Sequence, residues 1–343
     1  VFTGTEGLAP GEVEQYVTYP IGVAMNGLPG IEEIRSVSNF GLSVVNVYFE
    51  DGVDIYFARQ LVNERLQEAR YNIPDGFGDP AMGPISTGMG LVLFYYLEDT
   101  SGTRDLMELR SIQDWLIKYN LQTVPGVTEV LGIGGYEKQF QVEVDPNSLL
   151  RYGITLPEVI QRIRDNNLNT GAQFIRRNDE EFVVRSVGLA STVRDLEMIV
   201  VKAVDGTPVH LGDLALVREG GAIRRGLQTR NGAQEVVAGQ VIKLFGANSS
   251  TVIAAVEKKL DEINRILPPG VRLVPYYDQK SLVEACVRTV VNDLLQGILL
   301  VVLVLFAFMG GFRPSLVVAL SLPFSVLFSF ILMHHFDISA NLM

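Results

Sequence analysis

Two segments of this chain, about a hundred residues apart, carry the same pattern at a predicted helix-to-strand boundary. Residues 28–38 read LPGIEEIRSVS and residues 123–135 read TVPGVTEVLGIGG. In each, Pro-Gly is followed by Ile or Val, by Glu two residues later, and then by another Ile or Val. Proline cannot continue a helix and glycine permits the reversal into a strand. The repeat indicates that the chain contains two copies of one structural unit.

Four segments with helical spacing each end at a short signal that contains proline and glycine. In the first copy the signals begin at Leu28 and Ile73, which are 45 residues apart; in the second they begin at Val124 and Leu267, which are 143 apart. The second copy is therefore 98 residues longer, which predicts an insertion of about that size. Helices are predicted at residues 10–27, 54–72, 104–123 and 250–266, and strands at residues 31–37, 42–50, 91–97, 127–133, 138–144 and 271–277.

The insertion is predicted at residues 168–226, where short strand patterns replace the helix-strand rhythm. Asp205-Gly206 within it is a typical two-residue hairpin turn. The predicted fold class is therefore α+β, with two ferredoxin-like βαβ subdomains and a β-rich subdomain inserted in the second. The alternative is that Pro-Gly simply recurs in α/β proteins, but this does not explain the matching residues that follow it.

The C-terminal part of the chain is strongly apolar and predicts a two-helix transmembrane hairpin. Residues 290–309 and 314–336 are each long enough to cross a bilayer core of about 30 Å, at a helical rise of about 1.5 Å per residue. Only GGFR separates them, and Arg313 in that loop favours a cytoplasmic loop, with residues 1–287 outside the cytoplasm. The alternative is a helical hairpin buried in a large soluble core.

Composition excludes several other classes. The formal net charge of −11 argues against a nucleic-acid partner, because a domain that binds a duplex normally carries a basic stripe. Cys286 is the only cysteine, so neither an internal disulfide nor a two-cysteine zinc motif is possible. The start of the sequence has no signal-peptide pattern, so we expect the sequence to be a piece of a longer protein.

Several motifs resemble, in the same order, those of resistance-nodulation-division (RND) efflux transporters. Within that group they look most like the heavy-metal efflux branch, the Cus/Czc-type pumps, and the resemblance runs essentially from end to end. The motifs are VEQYVTYPIGVAM, YFEDGVDIYFAR, the long segment LRSIQDWLIKYNLQTVPGVTEVLGIGGYEKQFQVEVDPNSLLRYGI, DGTPVHLGDLALV and ISANLM.

The resemblance implies a layout for the chain. The implied first porter subdomain is 1–90, the two parts of the second are 91–167 and 227–285, the inserted docking subdomain is 168–226, and the transmembrane hairpin is 286–343. Pumps of this family are much longer than this chain. The fourth transmembrane helix, whose acidic residues form the proton relay, and the second periplasmic half, which supplies much of the metal site, are not in this sequence.

The resemblance also implies a function: proton-driven export of heavy-metal cations by a secondary active transporter rather than an enzyme. It implies no cofactor, a homotrimer in the bacterial inner membrane with residues 1–285 in the periplasm, a periplasmic adaptor protein and an outer-membrane channel. Three alternatives remain at this point. They are a multidrug exporter of the same family, a membrane-anchored periplasmic binding or sensor module, and a soluble enzyme.

Few residues in the sequence are candidates for a site. Met82 and Met89 flank a glycine-rich loop, and their thioethers suit soft Cu(I), with ordinary core or loop packing as the alternative. Asp293 lies near the start of the first predicted span and is a candidate for proton transfer, since a carboxylate within a membrane is usually functional. His334 and His335 end the second span, where anchoring at the interface is favoured over metal binding.

Overall fold

The chain divides into two units, Val1–Ile85 and Ser86–Met343, each described below by itself. Both combine helices with antiparallel sheets, so the predicted α+β class is confirmed. The computed structural model describes residues 1–5, 7–87, 90–169, 171–177, 180–185, 188–204, 206–224, 226–309 and 312–336.

The first unit is a three-stranded antiparallel sheet covered by two helices. Its strands β1, β2 and β3 are Phe2–Gly4, Ile31–Asn39 and Leu42–Phe49, in the spatial order β1-β3-β2. Helix α1 runs without a break through Pro10–Val13, a π-helical turn Glu14–Thr18, and Tyr19–Met25, and helix α2 is Ile55–Asn72. The predicted helices and strands of this region are therefore present, whereas the short strand β1 was not predicted.

Helix α2 shows how the sequence specifies the core of this unit. Asp54 caps its first turn by accepting a hydrogen bond from the backbone N–H of Phe57 at 2.8 Å. Four residues along one face are buried, at the spacing of three or four that places helical side chains together. Three of them, Val62, Leu66 and Ala69, belong to an apolar core that also comprises Val17, Ile21, Met25, Leu28, Val45 and Ile73.

The second unit contains the remaining elements of the described chain. Its strands are β4 (Leu91–Asp99), β5 (Val127–Ile133), β6 (Lys138–Val144), β7 (Gly171–Arg177), β8 (Glu180–Arg185), β9 (Val200–Val204), β10 (Thr207–His210), β11 (Ala215–Gly221), β12 (Gln228–Arg230), β13 (Gln234–Val236), β14 (Ala238–Lys243) and β15 (Val271–Asp278). Its helices are α3 (Leu106–Ile112, the π-helical turn Gln113–Ile117, and Lys118–Gln122), α4 (Pro146–Tyr152), α5 (Leu156–Asn166), α6 (Val193–Glu197), α7 (Leu211–Leu214), α8 (Ser249–Ile266), α9 (Gln279–Met309) and α10 (Phe312–His335).

Four of these strands form the central sheet, in the order β15-β4-β14-β5 and antiparallel throughout. If the elements between β5 and β14 are left out, the chain runs β4-α3-β5-β14-α8-β15, which is the order β-α-β-β-α-β. Both helices cover the same face of the sheet, because Leu93, Tyr95 and Leu97 of β4 share one apolar core with Ile117 of α3 and Ile253 of α8. Neither α3 nor α8 covers the opposite face of the sheet.

A second apolar core lies between β5 and β14 in the sequence. Strand β6 pairs with β11, and Phe140 and Val142 of β6 pack against a cluster that includes Leu211 and Val217. The strand at 138–144 was predicted correctly but was assigned to the second porter subdomain. The pairing of β6 with β11 favours an inserted region that begins near Lys138 rather than at residue 168. The subdomain boundaries stay predictions.

The predicted hairpin turn at 205–206 lies between β9 and β10, which pair as an antiparallel hairpin. Asp205 itself is outside the described residues, and Gly206 has the positive φ of +81° that this kind of turn requires.

Helix α9 contains the first predicted membrane span, α10 contains all but the last residue of the second, and the two helices contact each other. Within the described residues, one helix, Gln279–Phe308, is long and apolar enough to cross a membrane, and none of its apolar stretch is buried. An apolar helix in a soluble core would be covered by neighbouring side chains. The exposure of α9 therefore argues against the buried-hairpin alternative.

Candidate functional site

The open face of the four-stranded sheet is the most distinctive surface in the second unit. Strand register brings Tyr277, Phe94, Gln240 and Leu131 into one row across β15, β4, β14 and β5. Because residues opposite each other in a sheet point to the same side, this row lies on the face that α3 and α8 do not cover. The next row along β4 is centred on Tyr96.

Aromatic rings cluster on this face. The ring centroid of Phe94 lies 4.9 Å from that of Tyr277 and 5.9 Å from that of Tyr276, and Tyr96 lies 6.2 Å from Tyr276. Such separations are within the range in which aromatic pairs attract each other. Tyr276 and Tyr277 are about half exposed, so the cluster presents an apolar, flat surface to its surroundings.

A carboxylate and two arginines lie at one end of the aromatic cluster. Glu98 accepts hydrogen bonds from Arg230 Nη1 at 2.6 Å and from Arg272 Nε at 2.7 Å. The Arg230 guanidinium carbon lies 5.1 Å from the centre of the Tyr96 ring. The hydrogen bonds from Arg230 and Arg272 hold the pKa of Glu98 below its usual range, so Glu98 is ionised at neutral pH.

A cavity of about 620 Å³ adjoins this charged cluster. Its walls come from the end of β4, the loop and first turn leading into α3, the β12–β13 hairpin, and Tyr136. A volume of this size falls within the range of about 300–1,000 Å³ that is usual for small-molecule pockets. The open face and the cavity together can bind a molecule with flat apolar surface, and Glu98 and Arg230 can orient a polar group on it.

Of the candidates chosen from the sequence, the structure describes the side chains of Met82, Asp293 and His335. Met82 is half-buried against the apolar core of the first unit, as an ordinary core methionine would be. Met89 lies outside the described residues. Asp293 is exposed on α9, and the side chain of His335 contacts the ring of Phe336. Within the described residues, no group of three or more His, Cys, Asp or Glu side chains could hold a metal ion. The roles predicted for Met82, Met89 and Asp293 stay predictions.

The residues of the open face were not identified from the sequence. The signal that could have found them is the run of Phe94, Tyr96 and Glu98 at alternate positions of a strand whose intervening residues are also apolar. Alternation would have placed these three side chains on one face. Their partners Arg230 and Arg272 are more than 130 residues away in the chain, and no local pattern links them.

Glu98→Gln is expected to loosen the β12–β13 hairpin, because a neutral amide has no negative charge and only one acceptor oxygen, whereas the carboxylate accepts from Arg230 and Arg272 with different oxygens. We expect roughly tenfold faster hydrogen exchange in residues 228–236 at neutral pH, measured by mass spectrometry on the purified protein. The folded pKa of Glu98 is lowered, so its contribution is present above the usual value near 4.5 and is lost as the pH falls through the folded pKa. The difference between the two proteins should therefore disappear in acid.

Glu143→Gln is the matched control for this experiment. Glu143 also pairs with an arginine on a neighbouring strand, Arg218, but both side chains are about half exposed to solvent. An exposed pair contributes little, so this variant should exchange as the unmodified protein does. Equal effects of the two substitutions would contradict a special role for Glu98.

Comparison with known proteins finds similarity along the whole chain. The family model described as "AcrB/AcrD/AcrF family" matches residues 1–343. The "Cobalt-zinc-cadmium resistance protein CzcA" of Cupriavidus metallidurans is 45% identical over 350 residues, covering 100% of this chain and 33% of that protein. The "Cation efflux system protein CusA" of Escherichia coli K12 is 41% identical over 342 residues, covering 99% of this chain and 33% of that protein.

The fold also matches a solved structure described as a heavy metal efflux pump. The TM-score is 0.88 at 37% sequence identity, and the match covers 99% of this chain and 34% of that one. The chain thus spans about a third of the length of the proteins it matches.

Proposed function

Because the chain belongs to the AcrB/AcrD/AcrF family, we propose that it is part of a proton-driven pump that exports heavy-metal cations from the bacterial cell. The resemblance to the heavy-metal branch that the motifs indicated is confirmed by relatives that are 41–45% identical along essentially the whole chain. That similarity from end to end is the observation that carries the proposal. Since the chain spans about a third of those relatives, transport is proposed for the whole protein and not for this part of it.

We assign the first unit, and the second unit up to residue 285, to the periplasmic porter of such a pump. The β-α-β-β-α-β order of the central sheet supports a ferredoxin-like subdomain. The first unit, with two helices against an antiparallel sheet, supports a second subdomain of the same kind. The region between β5 and β14 would then be the inserted docking subdomain, and its separate apolar core supports that assignment.

We further propose that α9 and α10 form a transmembrane hairpin in the inner membrane, with residues 1–285 in the periplasm. The length and exposure of the apolar stretch of α9 support this arrangement. The pump would be a homotrimer that works with a periplasmic adaptor protein and an outer-membrane channel.

Transport in this proposal depends on proton entry within the membrane. Protonation would favour some conformations of the porter over others, and the affinity for the cation must differ between those conformations for export to follow. The proton-motive force then supplies the energy, and no cofactor takes part. Asp293 stays a candidate for proton transfer, and Met82 and Met89 stay candidates for metal contact.

The aromatic open face favours one alternative, a multidrug exporter of the same family. Phe94, Tyr96, Tyr276 and Tyr277 offer a flat apolar surface that suits an organic molecule better than a hydrated cation. A cation pump is still preferred, because the relatives at 41–45% identity carry names that refer to cations or to cobalt, zinc and cadmium.

The two functions predict different resistance in cells. Expression of the full-length gene in a bacterial host without its own metal exporters should raise tolerance to one or more of zinc, cobalt, cadmium, nickel, copper and silver, and should lower the cellular content of that metal. Tolerance to hydrophobic dyes should stay unchanged. The host with an empty vector is the control. Dye tolerance without any metal tolerance would contradict the proposal and support the multidrug alternative.

Collapse of the proton-motive force provides a further test. Addition of a protonophore to energised cells should abolish metal efflux within the time of the assay. Efflux that continues unchanged would contradict proton coupling. It would not contradict the proposal that the substrate is a metal cation.

A further inference from the structure

The chain that follows α2 in the first unit takes the position of a fourth strand in its sheet. Strand β1 pairs with β3 on one side, and on its other side Phe2 pairs with Ala81 in an antiparallel bridge. The Phe2 N–H donates to the Ala81 carbonyl at 2.8 Å, and the Ala81 N–H donates to the Phe2 carbonyl at 2.9 Å. Residues 79–83 are called the edge segment here.

The central sheet of the second unit shows how a complete strand fills this position. There the last strand of the β-α-β-β-α-β order, β15, lies beside the first, β4, and seven residue pairs join them. In the first unit, within the described residues, one bridge stands in the place of that ladder. Backbone pairing therefore holds the edge segment far less firmly than it holds β15.

Two arginines of α2 make further contacts with the edge segment. Arg70 Nη2 donates to the Pro80 carbonyl at 2.9 Å, and Arg59 Nη1 donates to the Gly83 carbonyl at 2.9 Å. The two arginines are eleven positions apart, which is about three turns of helix, so they lie on the same face of α2. A hydrogen bond from a charged donor is roughly twice as strong as one between neutral groups. These two side chains are called the arginine clasp.

A third contact of the arginine clasp is weaker. Arg70 Nε lies 3.1 Å from Asp79 Oδ1, but the Asp79 side chain is 81% exposed and the Arg70 side chain is 40% exposed. Exposed ion pairs contribute little to stability, because water and salt screen them. The partly buried bonds to the two backbone carbonyls are therefore the main contribution of the arginines.

Apolar packing also acts on this part of the chain. Phe77 and Met82 pack against the apolar core of the first unit. Gly83 lies against the ring of Phe2, and a Cβ at position 83 would be 2.7 Å from the Cε2 atom of that ring. Packing alone is therefore the rival explanation for the closure of the β1 edge.

We propose that the arginine clasp keeps the edge segment on β1, and that this segment opens and closes without unfolding of the rest of the first unit. Opening leaves the N–H and C=O groups of Phe2 unpaired at a free strand edge, which native proteins usually cover. The clasp thus works as a releasable cover for that edge. The proposal does not depend on the proposed transport function.

Arg59→Met/Arg70→Met tests the proposal in the purified full-length protein. Methionine keeps an apolar stem that can pack and removes every donor. Loss of a hydrogen bond from a charged donor changes an opening equilibrium by roughly tenfold or more, so exchange of the Ala81 amide should become roughly a hundredfold faster. Exchange in the β2–β3 ladder should stay unchanged. Hydrogen exchange by mass spectrometry, with fragmentation that resolves single amides, measures both.

Arg65→Met is the matched control, since Arg65 lies on the same helix and pairs with Glu68 at an exposed position. This variant should exchange as the unmodified protein does, and so should Asp79→Asn, which removes only the exposed ion pair. Unchanged Ala81 exchange in the double variant would show that packing closes the edge and would overturn the proposal. Equal acceleration in the β2–β3 ladder would overturn it as well, because the edge segment would then open only with the whole unit.

Discussion

Gly239→Ala is expected to destabilise the central sheet by about 2–4 kcal/mol. Gly239 of β14 lies opposite Tyr95 of β4, and the Tyr95 ring crosses directly over it. A Cβ at position 239 would overlap the Cζ, Oη and Cε2 atoms of that ring. The ring would have to move, although Tyr95 is fully buried and packed on every side.

Movement of the ring would also break a buried hydrogen bond. The Tyr95 hydroxyl donates to Oε1 of Gln113 at 3.0 Å, and Gln113 is fully buried in the π-helical turn of α3. Burial raises the pKa of the Tyr95 hydroxyl above its usual value, so it remains a donor at any ordinary pH. Loss of this bond would leave two polar groups buried without partners, in addition to the strain of overpacking.

Hydrogen exchange of the β4 and β14 amides in the purified protein would measure this loss. Gly171→Ala is the control, because Gly171 also lies in a strand of the second unit but has open space where a Cβ would be placed. Its effect should be within a few tenths of a kcal/mol. In the double variant Gly239→Ala/Tyr95→Leu the two effects should be less than additive, since the smaller side chain leaves room for the Cβ. Full additivity would contradict the proposed overlap.

Local signals predicted the elements of the fold well. Strands β5 and β6 occupy Val127–Ile133 and Lys138–Val144, the ranges predicted from residue type and glycine punctuation. Helix α8 begins at Ser249, one residue before its predicted start. Proline and glycine restrict the backbone directly, so boundaries marked by them can be identified without knowledge of the rest of the fold.

Features that depend on distant partners were not predicted. The pairing of β6 with β11 joins residues about 75 apart and follows from the shared apolar core of the inserted region. The π-helical turns in α1 and α3 also have no sequence signal that we identified. Each includes a buried polar side chain, Thr18 or Gln113, that lies within hydrogen-bond distance of a side chain on its sheet.

The candidate site was missed for the same physical reason. Its carboxylate is on β4, while the arginines that bind this carboxylate are on β12 and β15 and meet it only when the sheet has formed. The methionines chosen from the sequence were selected for their ligand chemistry alone. Met82 shows the weakness of that choice, since a thioether packs in an apolar core as readily as it binds a soft metal.

Leu300→Arg/Val304→Arg is expected to prevent α9 from spanning a membrane. Both residues lie near the middle of the predicted span 290–309, four apart on one helical face, and they are 64% and 48% exposed in the folded chain. The substitutions therefore add little strain to the protein itself. Each arginine at the centre of a span costs about 2.5–3.5 kcal/mol on insertion, and the pair would cost roughly 6 kcal/mol.

Leu282→Arg/Val287→Arg is the matched control, with two exposed apolar residues of the same helix that precede the predicted span. Insertion can be measured by placing Gln279–Met309 between two glycosylation acceptor sites and counting the chains in which the segment separates them across a microsomal membrane. The unmodified segment and the control should insert almost completely, and the central double variant should insert in fewer than half of the chains. If the central arginines are tolerated as well as those of the control, positions 300 and 304 do not lie at the centre of the span. If the unmodified segment itself fails to insert, α9 does not cross the membrane. The exposed apolar surface of α9 would then have to be covered by another part of the protein, as in the buried-hairpin alternative.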